Sequence, residues 1–237
     1  MAAFGAGVVA VNVEGSIGVG KSTLLDQLRQ RFRAHKHVAF CDEPVDQWEA
    51  HGLLKDMYDG TLSKAAFQFT ALATRFARFK RCLEQKKVRL VISERSIFSD
   101  QQIFAKLNLP ANEANAYALA HDALLNSLPT NMSLVTIYLD APVDTLLQRV
   151  RYRAREAEAE GEDGCGGVGK EYLEQLHQAH EDYFNSLDHT RVRINALMSP
   201  SDVVEMVCRA IEAAIPEALS CCQEQGHSPV SIMSRLA

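Results

Sequence analysis

Short β-branched and apolar runs alternate along the chain with stretches of helical period. Val8 to Val13 (VVAVNV) reads as a buried strand, His37 to Phe40 as a second and Val88 to Ser93 (VRLVIS) as a third. Leu134 to Asp140 (LVTIYLD) reads as a fourth strand and Arg191 to Ala196 as a fifth. After the first, Thr23 to Arg33 places Leu24, Leu25, Leu28 and Phe32 on one helical stripe. Pro142 opens a long helix, where its missing N–H costs nothing, and Asp202 to Ala214 predicts a closing one. Strands that alternate with helices imply a parallel sheet covered on both faces. The expected class is a three-layer α/β/α fold on a five-stranded parallel sheet.

Two segments fall outside this pattern. Gly161 to Gly169 holds five of the 13 glycines and reads as a mobile loop. After Pro216 the chain, with Cys221, Cys222, Gly226 and Pro229, has no clear period. A tail over 216–237 would be frayed, or ordered by a partner chain. Residues 1–215 then form a single domain, and no internal repeat is evident.

Composition narrows the ligand class. The 237 residues carry 25 Lys+Arg against 30 Asp+Glu, a formal net charge of −5, with 47% apolar and 23% charged residues. These proportions fit a globular chain rather than a disordered one. The mild acidity argues against duplex nucleic acid as a ligand and leaves room for a locally basic phosphate pocket. No apolar run reaches the roughly 18 residues of a membrane span, so no membrane partner is expected. The start shows no basic leader, and the six cysteines lack metal-ligand spacing. Reduced thiols and a cytoplasmic location follow as expectations.

Gly15-Ser16-Ile17-Gly18-Val19-Gly20-Lys21-Ser22, followed by Thr23, matches GxxxxGK[ST] in full and lies between a strand and a helix. The glycines let backbone N–H groups converge on phosphate oxygens, and the helix adds its positive N-terminal end. Lys21 would reach the β/γ-phosphates and Ser22 would hold Mg2+. The motif predicts a nucleoside triphosphate donor and leaves open where the phosphoryl group goes.

A GTPase would need an NKxD-like guanine-reading run, which the chain lacks. A motor or helicase would end a neighbouring apolar strand in Asp, whereas VRLVIS ends in Glu94-Arg95-Ser96. Open α/β sheets bind ligands at such strand ends. There Arg95 can stabilise a transferring phosphoryl group, and Glu94 can hold Mg2+ or orient the arginine; a structural ion pair is the plainer alternative. Asp42-Glu43-Pro44-Val45 follows the second strand, where Glu43 can accept a proton from an attacking hydroxyl. The same run also fits a solvated acidic turn.

Gln68, Ala71 and Arg75 share one helix face, while Phe69, Leu72, Phe76 and Phe79 form a stripe expected in the core. The polar face suits either a polar ligand or solvent. Asp100 and Phe104 fall i, i+4 on the helix after Glu94-Arg95-Ser96. Arg149 with Arg153, and Arg151 with Arg155, make further i, i+4 pairs. Such arginines are a solvated helix face, unless a nucleotide is near and they become phosphate clamps.

EGSIGVGKST, EPVDQW, ERSIFSDQQIFA, RVRYRAR and KEYLEQLHQAHE stand in order over Val11 to Leu187. Together they resemble the deoxynucleoside kinases related to deoxycytidine, deoxyguanosine and deoxyadenosine kinase. The resemblance implies a P-loop NTPase-type fold with an arginine-rich lid over about residues 149–170. It implies ATP-dependent phosphorylation of a deoxynucleoside at its 5′-hydroxyl. By resemblance Glu43 is the general base, Arg95 contacts the 5′ region and Glu94 joins the magnesium network. Tyr58 and Glu158 match positions that bind the sugar 3′-hydroxyl, and Arg149, Arg153 and Arg155 match the lid. Trp48, Leu54, Met57, Phe67 and Phe104 would wall the base pocket, with Gln68 reading the base. A homodimer at least is implied, and the tail suggests a second interface and a tetramer.

Gln68 can both donate to and accept from a base edge. Arg75 and Asp100 should pair, because an isolated buried charge is costly. Asp100 would then accept from an exocyclic amino group, which adenine and cytosine carry and thymine lacks. Ala71 leaves room for a purine. The expected order is deoxyadenosine, then deoxyguanosine and deoxycytidine, with thymidine poor. The chain departs from the family in a longer lid, EDGCGGVG before Lys170, which loses more entropy on closing. NALMSPSD shows no recognisable adenine loop. A thymidylate-type nucleoside monophosphate kinase is the nearest rival, with less use for Glu43. A phosphate-loop binding or regulatory module is the other, and it need not keep Glu43, Arg95 and the lid arginines together.

Overall fold

Residues 7–153 and 167–214 are described in the computed structural model. Its strands are β1 (Val9–Glu14), β2 (Val38–Cys41), β3 (Leu90–Glu94), β4 (Ser133–Asp140) and β5 (Thr190–Asn195). They form a five-stranded sheet in the order β2-β3-β1-β4-β5, with every neighbouring pair parallel. This is the sheet that the alternation of apolar runs predicts. Val13 pairs with Glu94, and Glu14 with Tyr138, so β1 ends in the middle of the sheet beside the ends of β3 and β4.

The helices are α1 (Lys21–Arg31), α2 (Val45–Ala50), α3 (Leu53–Tyr58), α4 (Lys64–Leu83), α5 (Lys106–Asn108), α6 (Ala111–Leu125), α7 (Val143–Arg153), α8 (Lys170–Ser186) and α9 (Pro200–Ala214). On one face of the sheet, Leu24, Leu25 and Leu28 of α1 pack with Val11, Val13, Ile92 and Ile137 of the strands and Val207 and Ile211 of α9. On the other, Phe76, Phe79 and Leu83 of α4 cover Ala10, Ala39 and Val91. Each fully buried Leu or Phe contributes about 1.5–3 kcal/mol. Truncating Leu25, which is 0% exposed, should cost about 2–5 kcal/mol.

Three elements differ from the sequence reading. Helix α1 starts at Lys21 rather than Thr23, because Gly20 takes a left-handed φ of 107° and serves as its N-cap. Helix α9 starts at Pro200, where Ser199 Oγ accepts from the Asp202 N–H at 3.2 Å. After Asp100 the chain forms a π turn over Gln101–Ala105 rather than an α-helix. The N–H groups of Phe104 and Ala105 both point at the Asp100 carbonyl, at 3.0 and 2.9 Å. Arg155, Glu158, most of the Gly161–Gly169 loop and the 216–237 tail lie outside the described residues.

Candidate active site

The turn between β1 and α1 is built around glycines. A Cβ on Gly15 (φ 142°) would meet the Leu139 carbonyl at 2.6 Å, so the loop can hug β4 only without a side chain there. Lys21 Nζ folds back onto the loop and donates to the Gly15 and Ser16 carbonyls at 3.0 and 3.1 Å. Burial, and then the charge of Arg95, pull this ammonium down to about 7. An anionic triphosphate in the loop would restore its full charge.

Ser22, one residue into α1, donates from Oγ to Glu94 Oε1 at 2.8 Å. Glu94 closes β3, and burial followed by repulsion from Glu43 raises its carboxyl. A hydroxyl and a carboxylate oxygen at this spacing, beside a phosphate loop, form the hard-oxygen donor set that Mg2+ takes. The sequence-predicted metal residues, Ser22 and Glu94, are therefore brought together.

Arg95 follows β3 with φ at 62°, a left-handed conformation that a non-glycine residue rarely holds. Its N–H bonds the Val13 carbonyl at 2.9 Å, and Ser93 Oγ donates to its carbonyl at 2.7 Å. Held this way, Arg95 Nη1 donates to the Gly15 carbonyl at 3.1 Å and Nε approaches Glu43 at 3.1 Å. Arg75 bridges Glu43 and Asp100, donating one Nη to each. Burial alone would push Glu43 up, but Arg95, Arg75 and Lys21 outweigh it and hold the carboxyl at about 2. Asp100 is fully buried, and desolvation raises its carboxyl even beside Arg75. Glu43 is thus no solvated turn, and the Gln68–Arg75 helix face is buried rather than facing solvent.

These groups open onto a cavity of about 610 Å³ that runs across the ends of the strands. Its near end is walled by Trp48, Leu54, Met57, Tyr58, Phe67 and Phe104, with Gln68 and Arg75 among them. Trp48 is pinned by its Nε1–H on Thr74 Oγ1 at 3.0 Å and meets Phe67 edge-on at 5.3 Å. Gln68 Oε1, Asp100 Oδ2 and Arg75 Nε are buried with no hydrogen-bond partner among the described residues. Ala71 and Asp100 do not line the cavity. Ala71 packs with Trp48, Leu54 and Phe67, and Asp100 is bound by Arg75. Helix α4 is buried on both sides, so its small residue serves packing.

The far end is lined by Gly18 to Thr23, Gln27, Arg149, Arg153 and the segment from Ala196 to Val203. Arg149 donates to the Val19 carbonyl at 3.1 Å and the Ala196 carbonyl at 2.9 Å, tying α7 to the phosphate loop and to the chain after β5. Sequence reasoning missed Met198, Pro200 and Val203 here, because they straddle the loop after β5 and the first turn of α9, too short a stretch to carry a period. It also missed Glu14, which is 1% exposed and accepts from the Ser96 N–H at 2.9 Å and Ser99 Oγ at 2.6 Å. Burial pushes that carboxyl up to about 7 against the pull of Arg95 and Ser99.

The arrangement can bind a triphosphate in the β1–α1 turn and present its terminal phosphoryl group to an acceptor held at Glu43 and Arg95. Known kinases resemble this chain in sequence and in fold. A thymidine kinase of Ictalurid herpesvirus 1 is 31% identical over 210 residues, covering 83% of this chain and 85% of the relative. A deoxyadenosine/deoxycytidine kinase of Bacillus subtilis is 25% identical over 217 residues, covering 86% and 92%. A solved deoxyadenosine kinase from M. mycoides, with products dCMP and a flexible dCDP bound, shares the fold. It aligns at a TM-score of 0.66 and 21% identity over 86% of this chain and 99% of that one. The deoxynucleoside kinase family model matches residues 11–213, and the chain belongs to that family.

Proposed function

We propose that the protein transfers the γ-phosphoryl group of ATP to the 5′-hydroxyl of a deoxynucleoside, favouring deoxyadenosine, then deoxyguanosine and deoxycytidine, over thymidine. The observation that carries this reading is the placement of Glu43. Its carboxylate sits between Arg75 and Arg95 at the junction of the phosphate loop and the aromatic-walled half of the cavity. A neutral hydroxyl acceptor needs such a group, whereas an acceptor that is already a phosphate does not.

Lys21 and the amides of the Gly15–Ser22 loop hold the donor phosphates. Ser22 and Glu94 would hold Mg2+, which supplies neutralising charge between donor phosphates when bound. Glu43 accepts the hydrogen bond of the 5′-hydroxyl and takes its proton as the bond to phosphorus forms. A carboxyl held at about 2 is a weak base, which suits the loose transition state of phosphoryl transfer, where the proton leaves late. Arg95, with Arg149 and Arg153 at the far end, neutralises charge on the transferring group.

Base preference rests on the unpartnered acceptor of Gln68. Gln68 lines the cavity, and its Oε1 is buried and unsatisfied, which costs about 1–3 kcal/mol. An exocyclic amino group would satisfy it, and the O4 of thymine would not. The relatives' names span thymidine, deoxyadenosine and deoxycytidine kinases, so the pocket and not the family decides the base. A cytoplasmic homodimer at least completes the reading: Cys41, Cys82 and Cys208 are free buried thiols, which suits a reducing compartment, and Leu119 stands 75% exposed on α6, which suits a helix-packed dimer.

The reaction is tested with ATP, Mg2+ and either deoxyadenosine or its 5′-deoxy analogue. The reading expects the 5′-monophosphate from the first and no turnover of the second. Phosphate appearing at any other position, or turnover of the 5′-deoxy analogue, would overturn it.

A further inference from the structure

Arg95 is held from three sides. Nε approaches Glu43 at 3.1 Å, and Nη1 donates both to the Gly15 carbonyl at 3.1 Å and to Nε2 of His180 at 3.4 Å. The guanidinium also lies over the Phe104 ring at 4.6 Å. Glu43 and Gly15 belong to the site already described. His180 comes from α8, 85 residues away in sequence, and no role in the reaction has been given to it so far.

The geometry fixes the state of this imidazole. His180 is 1% exposed, and its Nδ1 lies 2.7 Å from the Leu176 carbonyl. A carbonyl only accepts, so Nδ1 carries a proton. Burial, followed by the nearby charge of Arg95, keeps the ring from protonating a second time, and the charges of Lys21 and His177 act in the same direction. Nε2 therefore presents a lone pair to Arg95. The ring cannot swing away, because it stacks on Tyr138 at 6.1 Å and 12° and meets Phe104 edge-on at 6.0 Å and 87°. An arginine side chain has many rotamers, and ordering it in advance removes that cost from the reaction step.

We propose that His180 is a positioning residue for phosphoryl transfer, its neutral Nε2 fixing Nη1 of Arg95 against the phosphate loop. The proposal rests on the kinase reading only for the role of Arg95. Substitution by Phe keeps the aromatic packing and removes the acceptor. Substitution by Gln gives an amide oxygen that can take the place of Nε2.

Steady-state kinetics on wild type, H180F and H180Q test the role. His180→Phe should lower kcat about 10-fold with KM for ATP and nucleoside moving less than about threefold, and His180→Gln should recover most of the loss. Wild-type kcat in H180F, or equal kcat losses in the two variants, overturns the proposal. The wild-type protein gives a readout independent of turnover. Imidazole nitrogen NMR should show His180 neutral and protonated at Nδ1 between about pH 6 and 8. A ring protonated at Nε2, or charged in that range, overturns the proposal on its own. Wild type that phosphorylates no nucleoside would instead overturn the kinase reading and leave the NMR result to decide the state of His180.

Discussion

Ser22 Oγ donates to Glu94 Oε1 at 2.8 Å across 72 residues of sequence, joining the start of α1 to the end of β3. These two oxygens are the ones that would hold Mg2+, which would supply neutralising charge beside the donor phosphates. Glu94→Gln and Ser22→Ala should each raise the Mg2+ concentration for half-maximal activity about 10-fold or more. The two act on one ion, so the double variant should lose less than the product of the single losses. Mg2+ titrations that superimpose on wild type would remove both residues from the metal site.

Glu43→Gln should lower kcat by about 10² to 10⁴ while KM for the nucleoside moves less than about tenfold. Equal losses in kcat and in binding would make Glu43 a binding group only. The pH profile adds a second test. Glu43 is held at about 2, below its ordinary 4.5, so it stays ionised through the working range. Its contribution to stability is present above about 4.5 and is lost only as pH falls toward 2. The acid limb of kcat/KM should therefore show no group of ordinary carboxylate pKa that disappears in E43Q.

The strand ends were legible because each candidate residue is continuous with an apolar run: Glu43 after β2, Glu94 at the end of β3 with Arg95 after it, the glycine loop after β1. Burial of Glu14 and His180 was not legible. Their partners, Ser96 and Arg95, lie 82 and 85 residues away, and no local period encodes that. The π turn after Asp100 was also hidden, since five residues contain too few apolar positions to separate it from an α-helical turn. Ala71 fell on the predicted face of α4, yet its methyl packs under Trp48 because the helix is covered on both sides.

Glu14 gives a stability signature. Its carboxyl is raised from 4.5 to about 7, so the folded state holds a proton there that the unfolded chain has released. The resulting stability is full below about 4.5 and is lost as pH rises through about 7, a swing of roughly 3 kcal/mol. Glu14→Gln keeps an oxygen for Ser96 and Ser99 and cannot ionise. Denaturation midpoints measured from about pH 5 to 7.5 should fall in wild type relative to E14Q. Parallel curves would contradict the burial argument.

Asp100→Ala should destabilise the protein by about 1–3 kcal/mol in denaturant melts, because Arg75 loses one of its two buried carboxylate partners and keeps Glu43. Where D100A still turns over, thymidine should gain in kcat/KM relative to deoxyadenosine, since Arg75, which lines the base end of the cavity, loses the partner that holds it. An unchanged ratio would place base selection elsewhere, with Gln68.

The most direct measurement is a phosphoryl-transfer assay with ATP and Mg2+ against deoxyadenosine, deoxyguanosine, deoxycytidine, thymidine and thymidylate, ranked by kcat/KM. Glu43 held between two arginines and the unpartnered Gln68 Oε1 at the base end predict deoxyadenosine first, thymidine poor and thymidylate inert. Thymidine on top would keep the kinase and overturn the reading of Gln68, Arg75 and Asp100, and turnover of thymidylate alone would contradict the role of Glu43 itself.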